Sequence, residues 1–329
     1  MRRTAIGLSP PMRETVLMRR SLGGATVKTA RQLEYRLHHL CIYDDRPRES
    51  MFPYLRWHHG ITNYFSGAVF HVTGEGHSDY TFMGCGGRAY QIQLEAPPFQ
   101  FEYERNWWRD HGRGYNHICW ITSDARASME QLLANGATEV MPFEEFPTYD
   151  GFVVHDPEGR WVEIMEYTDD IFRVQEFTHA PSGECGLEMV GNAELCSDVD
   201  AMAEWYQNVL DMQVLERFDH EDNSVVVMTD RDYDPVGRRT LFFLHNARHD
   251  FEKAKLEAHG PHISAILYQA KDLERAWEDA LWAGMEPLMA LHTDPMTGLR
   301  TGHLSEPCGG NTIILTEQYA PALKLATAA

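Results

Sequence analysis

The chain has 329 residues, 43% of them hydrophobic, enough for two domains of ordinary size with real cores. Its formal net charge of −20 gives an acidic surface that repels nucleic acid and anionic lipid, so neither is expected as a partner. No run of about 18 apolar residues occurs and the opening MRRTAIGLSPPMRE lacks the apolar stretch of a secretion signal, so neither a membrane span nor export is expected.

Residues 1–34 match nothing that follows and are expected to form an arm packed on a domain or on a partner subunit. A first unit starts at LEYRLHHLCIYDD and continues through MFPYLRWHHGI, GAVFHV, DYTFMG and AYQIQLEAPP, with strand-like apolar runs. The aromatic stretch FQFEYERNWWRDHGRGY, residues 99–115, then reads either as a packed connector or as a pocket wall for an aromatic or bulky substrate. A second unit begins GYNHICWITSD, runs into an amphipathic helix that ends at Gly136, and closes with the turn and strand DPEGRWVEIMEY from Asp156. A link follows near 170–187, around Ala180 to Gly183. The third unit has a helix over 198–212 with Val199, Met202, Trp205, Tyr206 and Val209 on one side, then the β-rich VVVM and TLFFL. The fourth, GPHISAILYQAKDLERAWEDALWAG, repeats the second: a strand, a capping Asp and a helix with Leu273, Ala276, Trp277, Ala280 and Leu281 at helical spacing. It ends in EPCGGNTIILTEQY. From Asp124 to Gly136 and from Asp272 to Gly284 the distance is twelve residues in both.

A repeat of this kind decides the architecture. Four units near 35–97, 113–168, 188–246 and 260–319 imply an α+β protein of two domains, 35–170 and 187–320, each a pair of units. The six cysteines are scattered with no C-x-x-C pair, and Cys41 and Cys119 lie in apolar strand-like runs. Buried thiols in a reducing compartment, the cytoplasm, are expected.

The pattern resembles the vicinal oxygen chelate superfamily, which includes glyoxalase I, methylmalonyl-CoA epimerase, fosfomycin-resistance proteins, and extradiol and hydroxyphenylpyruvate dioxygenases. The strongest stretch is GYNHICWITSD through HDPEGRWVEIMEY. The resemblance implies four βαβββ modules paired into two open barrels, with a divalent metal (Fe2+, Mn2+, Co2+, Ni2+ or Zn2+) held by first and last strands. Carried over, its ligands are His39, with neighbouring His38 as the alternative; Gln93, with Gln91 of the same parity as the alternative; His117; and Glu163. Alternation along a strand favours His39, because Leu40 and Ile42 then face the helices. A carboxylate inside the apolar final strand, Glu163, is costly unless paired or coordinated. Two imidazoles, a carboxylate and an amide oxygen form a borderline donor set. The second domain departs from the pattern: its corresponding places hold Gly191, Phe243 and Ile313 or Ile314, leaving only His262, so it reads as a copy without metal.

The bland reading of any single inward histidine is a satisfied polar residue; His39, Gln93, His117 and Glu163 together, at four matching module places, carry the metal expectation. Glu163 and His155, which lies just before the turn proline, are the candidates for moving a proton. Arg160, Tyr149, His58, His59, His71 and His77 are weaker ones. The resemblance offers two enzyme readings on a small-molecule substrate. One is proton transfer next to a carbonyl, by an epimerase, isomerase or lyase with a Lewis-acidic metal. The other is Fe(II)-dependent extradiol ring cleavage. The order His, Gln, His, Glu is similar to the epimerase's. The extradiol enzymes carry a Tyr where this chain has Val153, and a His in a region that here, from Tyr90 to Arg105, has none. A non-catalytic small-molecule binder is the third reading. A homo-oligomer is compatible with all three.

Overall fold

The computed structural model describes residues 33–46, 49–50, 53–54, 56–57, 79–83, 91–99, 101–146, 149–167, 185–221, 223–229, 240–306 and 310–318. Most of the expected arm, residues 170–184 of the link near 170–187, GAVFHV, and His58, His59, His71 and His77 lie outside these.

Two mixed sheets carry the fold. The first contains β1 (Tyr35–Tyr43), β2 (Asp79–Met83), β3 (Gln91–Ala96), β4 (Gly114–Thr122), β5 (Thr138–Glu145), β6 (Tyr149–His155) and β7 (Trp161–Tyr167). Their order is β2-β3-β1-β4-β7-β6-β5. β1 and β4 pair antiparallel at the centre, and each takes the last strand of its own module, β3 or β7, as a parallel neighbour. The second sheet repeats this plan with β8 (Glu188–Leu195), β9 (Gln213–His220), β10 (Asn223–Thr229), β11 (Leu241–His245), β12 (His262–Ala270), β13 (Glu286–Thr293), β14 (Arg300–Ser305) and β15 (Thr312–Glu317). β8 and β12 are central, flanked by parallel β11 and β15. The α+β architecture of paired open barrels that the resemblance implies is the one observed.

Five helices are described: α1 (Glu102–His111), α2 (Ala125–Ala134), α3 (Val199–Val209), α4 (Asp250–His259) and α5 (Leu273–Trp282). Asp124, Asp198 and Asp272 cap α2, α3 and α5 by accepting backbone N–H groups of the first turn. Each such cap contributes about 1 kcal/mol. The helix-side faces of both sheets share one core: Leu40 and Trp120 of the first meet Phe242 and Tyr268 of the second. Trp120 stacks on Phe242 at 5.3 Å, and Trp57 Nε1 donates to Ala276 O on α5.

Each central strand carries a β-bulge. In β1, His38 has no opposite residue between the pairs Leu37–Trp120 and His39–Cys119; in β4, Asn116 stands out between Tyr115–Ile42 and His117–Cys41. The extra residue flips the alternation. Tyr35 and Leu37 face the helices before the bulge of β1, and Leu40 and Ile42 do so after it. The other face then presents Cys41 and Tyr43 toward Phe99. β8 and β12 bulge in the same way at Val190 and Ser264.

Helix α1 is the 99–115 stretch. It packs on the inner face: Trp107 and Trp108 join Cys41, Tyr43 and Phe99, while Phe101, Tyr103 and Trp107 join Met141, Val153 and Trp161. The connector and wall readings of this stretch therefore describe one object, a helical cover on the concave side.

Candidate metal centre

The bulges and the register bring three expected ligands together on the inner face of the first sheet. His39 opposes Cys119 on β4, and Cys119 opposes Glu163 on β7. The tight turn Asp156 to Gly159, closed by Gly159 N–H donating to Asp156 O with φ +88 at Gly159, starts β7 at the place that aligns Glu163. His39 Nε2 lies 3.4 Å from His117 Nε2 and 3.5 Å from Glu163 Oε2, and His117 Nε2 lies 3.4 Å from Glu163 Oε2. Three donor atoms thus form a nearly equilateral triangle. A cation about 2.0–2.2 Å from each of three N/O ligands sets their separations at about 3.0–3.5 Å. The triangle fits.

Protonation supports the same reading. His117 Nδ1 is 2.6 Å from Asn116 Oδ1, so it donates its N–H there and leaves a lone pair on Nε2. His39 Nδ1 is 2.8 Å from His38 Nδ1; donating N–H to His38 leaves His39 Nε2 as a lone pair too. Burial, with repulsion from His38 and His117, holds His39 well below the usual imidazole range, so it is neutral at pH 7. Burial works against ionisation of Glu163, yet the hydrogen bond and charge of His117 outweigh it and keep the carboxyl below its ordinary value. The site brings together two imidazole nitrogens and a carboxylate, a donor set that a metal binds with release of any imidazole proton.

His38, the alternative to His39, lies close by. Its ring lies beside His39, 5.0 Å between centroids, and orients it, although His38, His39 and Cys119 also lie close enough together to form a metal-sized cluster. Gln93 is buried, hydrogen-bonds His39 and donates from Nε2 to Glu95 Oε2 at 3.2 Å, so it stands at the edge of the triangle. Gln91 pairs with His39 through the backbone. His155 is outside the trio: its Nε2 accepts the Trp161 indole N–H at 2.9 Å, at the end of the β6–β7 pairing two residues before Glu163. Arg160 lies in a buried ion-pair network, and Tyr149 stacks on Phe146.

Two buried carboxylates went unnoticed in the sequence. Glu95, two residues past Gln93, accepts from Gln93 and from the Cys41 thiol. Glu104 on α1 accepts Phe101 N–H as the helix cap, and burial together with the charge of Glu95 pushes its pKa up to about 8. A capping-box glutamate is ordinarily read as structural, which is why the sequence concealed it.

The second sheet has no counterpart. Gly191 occupies the His39 place, Ala265 the His117 place, Phe243 the Gln93 place and Ile314 the Glu163 place, by register with β12, β8 and β15. His262, three residues ahead of Ala265, bonds Gly260 O and does not occupy a ligand position. A Cβ at Gly191 would sit 1.8 Å from Leu241 O, so the backbone leaves no room for any side chain there.

Comparison with known proteins extends the picture. The family model described as Glyoxalase/Bleomycin resistance protein/Dioxygenase superfamily matches residues 195–315. Residues 195–315 are therefore similar to a domain of this superfamily. The matched residues lie in the second sheet, so the superfamily pattern is retained there without the ligands. Glyoxalase I of Saccharomyces cerevisiae is 28% identical over 109 residues, 33% of this chain and 32% of the relative. The alignment thus spans about a third of that enzyme's length. Among solved structures, a variant of 4-hydroxymandelate synthase from Streptomyces coelicolor aligns with a TM-score of 0.58 at 12% identity over 87% of this chain and 92% of its own. The Mn(II)-bound glyoxalase from Novosphingobium aromaticivorans gives 0.53 at 11% identity over 85% and 81%. At such identities these two likenesses concern the fold alone.

The tautomer argument yields a prediction. Asn116→Ala removes the acceptor that fixes His117 and should lower metal affinity by about 10–100-fold with little change in thermal stability. Competitive titration against a chromogenic chelator reads this directly; unchanged affinity would remove Asn116 from the account.

Proposed function

We propose that the chain is a divalent-metal-dependent enzyme that moves a proton next to a carbonyl of a small, aromatic or otherwise bulky substrate, as an isomerase, epimerase or lyase. The observation that carries it is the buried triangle of His39 Nε2, His117 Nε2 and Glu163 Oε2 with a second carboxyl group, Glu104, held protonated near neutral pH on the helix that covers the same face. A metal bound by His39, His117 and Glu163, with Gln93 beside it, would supply Lewis acidity toward an oxygen of the substrate. The chain's own residues do the rest. Tyr103, Trp107 and Trp161, in ring contact at 5.3 and 6.4 Å, form an apolar wall that orients a flat substrate and excludes water. Glu104, with a pKa near the working pH, is suited to give and take a proton. Buried free thiols at Cys41, Cys119, Cys185 and Cys196 fit a reducing, cytoplasmic setting.

The second reading, Fe(II)-dependent ring cleavage, is favoured by the two-histidine, one-carboxylate face itself. Against it, Val153 pairs directly with Glu163 and presents no hydroxyl. Elemental analysis of the purified protein, followed by substrate screens in deuterium oxide with and without air, separates the readings. Deuterium entering the α-carbon without oxygen is the expected result; iron with obligatory oxygen uptake would establish ring cleavage, and absence of any metal a binding protein. Glu104→Gln should then reduce turnover by about 10²–10⁴-fold while metal content stays whole. Full activity in that variant would return Glu104 to a purely structural role.

A further inference from the structure

Gln93 can serve a metal only through its amide oxygen, because the NH2 half of an amide donates hydrogen bonds and has no lone pair to give. Which half faces the triangle is set by what the other half meets. Gln93 and Glu95 are two residues apart on β3 and share its inner face, while Ile92 and Leu94 enter the core on the helix side. Both polar side chains are buried. Gln93 Nε2 donates to Glu95 Oε2 at 3.2 Å. The same oxygen accepts the thiol of Cys41 on neighbouring β1 at 3.7 Å. Burial and the charge of Glu95 push that thiol up, so it stays a donor. Turning the amide over would set Gln93 Oε1 against Glu95 Oε2, two acceptors with no proton between them, in a place where an unmade hydrogen bond is costly. The other half of the amide meets His39. Gln93 favours the charged form of that imidazole, as an acceptor oxygen does.

Two further observations single out Glu95. A neutral acceptor would satisfy the same two donors at lower cost, since a buried carboxylate here also repels Glu104. In the second sheet, where the ligand places are apolar, Phe243 and His245 stand at the Gln93 and Glu95 places, paired with Ala193 and Leu195. His245 is turned to other partners, Ser264 Oγ and Asn246 O. The amide and its acidic neighbour are lost together.

We propose that Glu95 is a positioning residue of the metal centre: by accepting the Gln93 NH2 it turns the Gln93 amide oxygen toward His39, His117 and Glu163 as the fourth donor. This rests on the metal reading given under the proposed function. Glu95 itself touches neither metal nor substrate.

The test is competitive titration of the full-length, metal-stripped protein with zinc against a chromogenic chelator. Glu95→Gln keeps the shape but lets the two amides pair in either orientation, and should weaken zinc by about 10–100-fold. Gln93→Ala should weaken it to a similar extent. Adding Glu95→Gln to Gln93→Ala should then cost about threefold or less, because the residue through which Glu95 acts is gone. An equal loss in both backgrounds would mean that Glu95 acts by its charge alone and overturns the proposal, as does an unchanged affinity in Glu95→Gln. A wild-type protein that takes up no zinc would bring down the metal reading and the proposal together, whereas zinc held equally by wild type and Glu95→Gln brings down the proposal alone. Should Glu95→Gln fail to fold, as judged by circular dichroism, the Gln93 NH2 resonance of the wild type, assigned by its loss in Gln93→Ala, takes its place. One of its protons should lie well downfield of the ordinary amide range with and without zinc, as a charge-assisted hydrogen bond requires; an ordinary position overturns the assignment.

Discussion

His117→Ala is expected to empty the metal centre and lower turnover by about a thousandfold or more. The loss follows from geometry. His117 Nε2 is a corner of the triangle shared with His39 and Glu163, and its ring is the one whose tautomer Asn116 fixes. Without it, two donors remain, and a cation held by one imidazole and one carboxylate exchanges readily with water. Lewis acidity toward a substrate oxygen is worth several kcal/mol, and each 1.36 kcal/mol is tenfold in rate. Metal content measured after gel filtration should drop with activity. Stability should fall somewhat, since Glu163 loses the His117 hydrogen bond and charge that offset the burial of its carboxylate. Glu163→Gln is the sharper companion, because it keeps volume and hydrogen bonding and removes only charge. If metal content stays whole in both variants, the triangle is not the metal site.

The parts of the fold legible in the sequence were those set by local chemistry. Asp124 and Asp272 cap helices because a short carboxylate can reach the first-turn N–H groups, and the amphipathic spacing after them is visible in one dimension. Glu163 was legible because an acid between Val162 and Ile164 has no cheap explanation. The bulges were not recognised, although they leave a trace. The helix-facing residues of β1 change parity between Leu37 and Leu40, and this shift places His38 beside His39. Strict alternation instead sends the two histidines to opposite faces. The 99–115 stretch reads as either a connector or a pocket wall because Trp107, Trp108 and Tyr103 are distributed around it; their partners, Tyr43 of β1, Phe99 after β3 and Trp161 of β7, are far apart in sequence. His262 looked like the last remnant of a ligand set because it follows a glycine turn as His117 does. Only the register shows that the ligand place lies at Ala265.

Arg160→Met should cost about 3–5 kcal/mol of stability and leave the metal centre occupied. Sequence alone made Arg160 a weak candidate for catalysis; its surroundings give it another task. The guanidinium is 5% exposed and bridges the turn before β7 to β8 of the second sheet. Nε donates to Asp156 Oδ2 at 2.7 Å, and Nη1 lies 3.1 Å from Glu194 Oε2. Asp156 also accepts the backbone N–H groups of Glu158 and Arg160, and Glu194 accepts the Tyr206 hydroxyl and Asn192 Nδ2. Burial raises the carboxyl of Glu194 despite the attraction of Arg160, so without the arginine that carboxyl would take up a proton or draw in water. Removing one partner of a buried pair is costly because it strands the other, whereas replacing the whole pair with apolar groups is often neutral. The double variant Arg160→Met with Glu194→Leu should therefore regain part of the loss, though Asp156 and the Tyr206 hydroxyl remain to be satisfied. Calorimetric unfolding measures both, and a Tm fall of about 10 °C corresponds to the single variant at roughly 2–4 °C per kcal/mol. A loss under 1 kcal/mol would mean that water replaces the guanidinium freely. Lost turnover with unchanged Tm would restore Arg160 to the list of catalytic candidates, and would do so against its position on the opposite side of β7 from the Glu163 carboxylate.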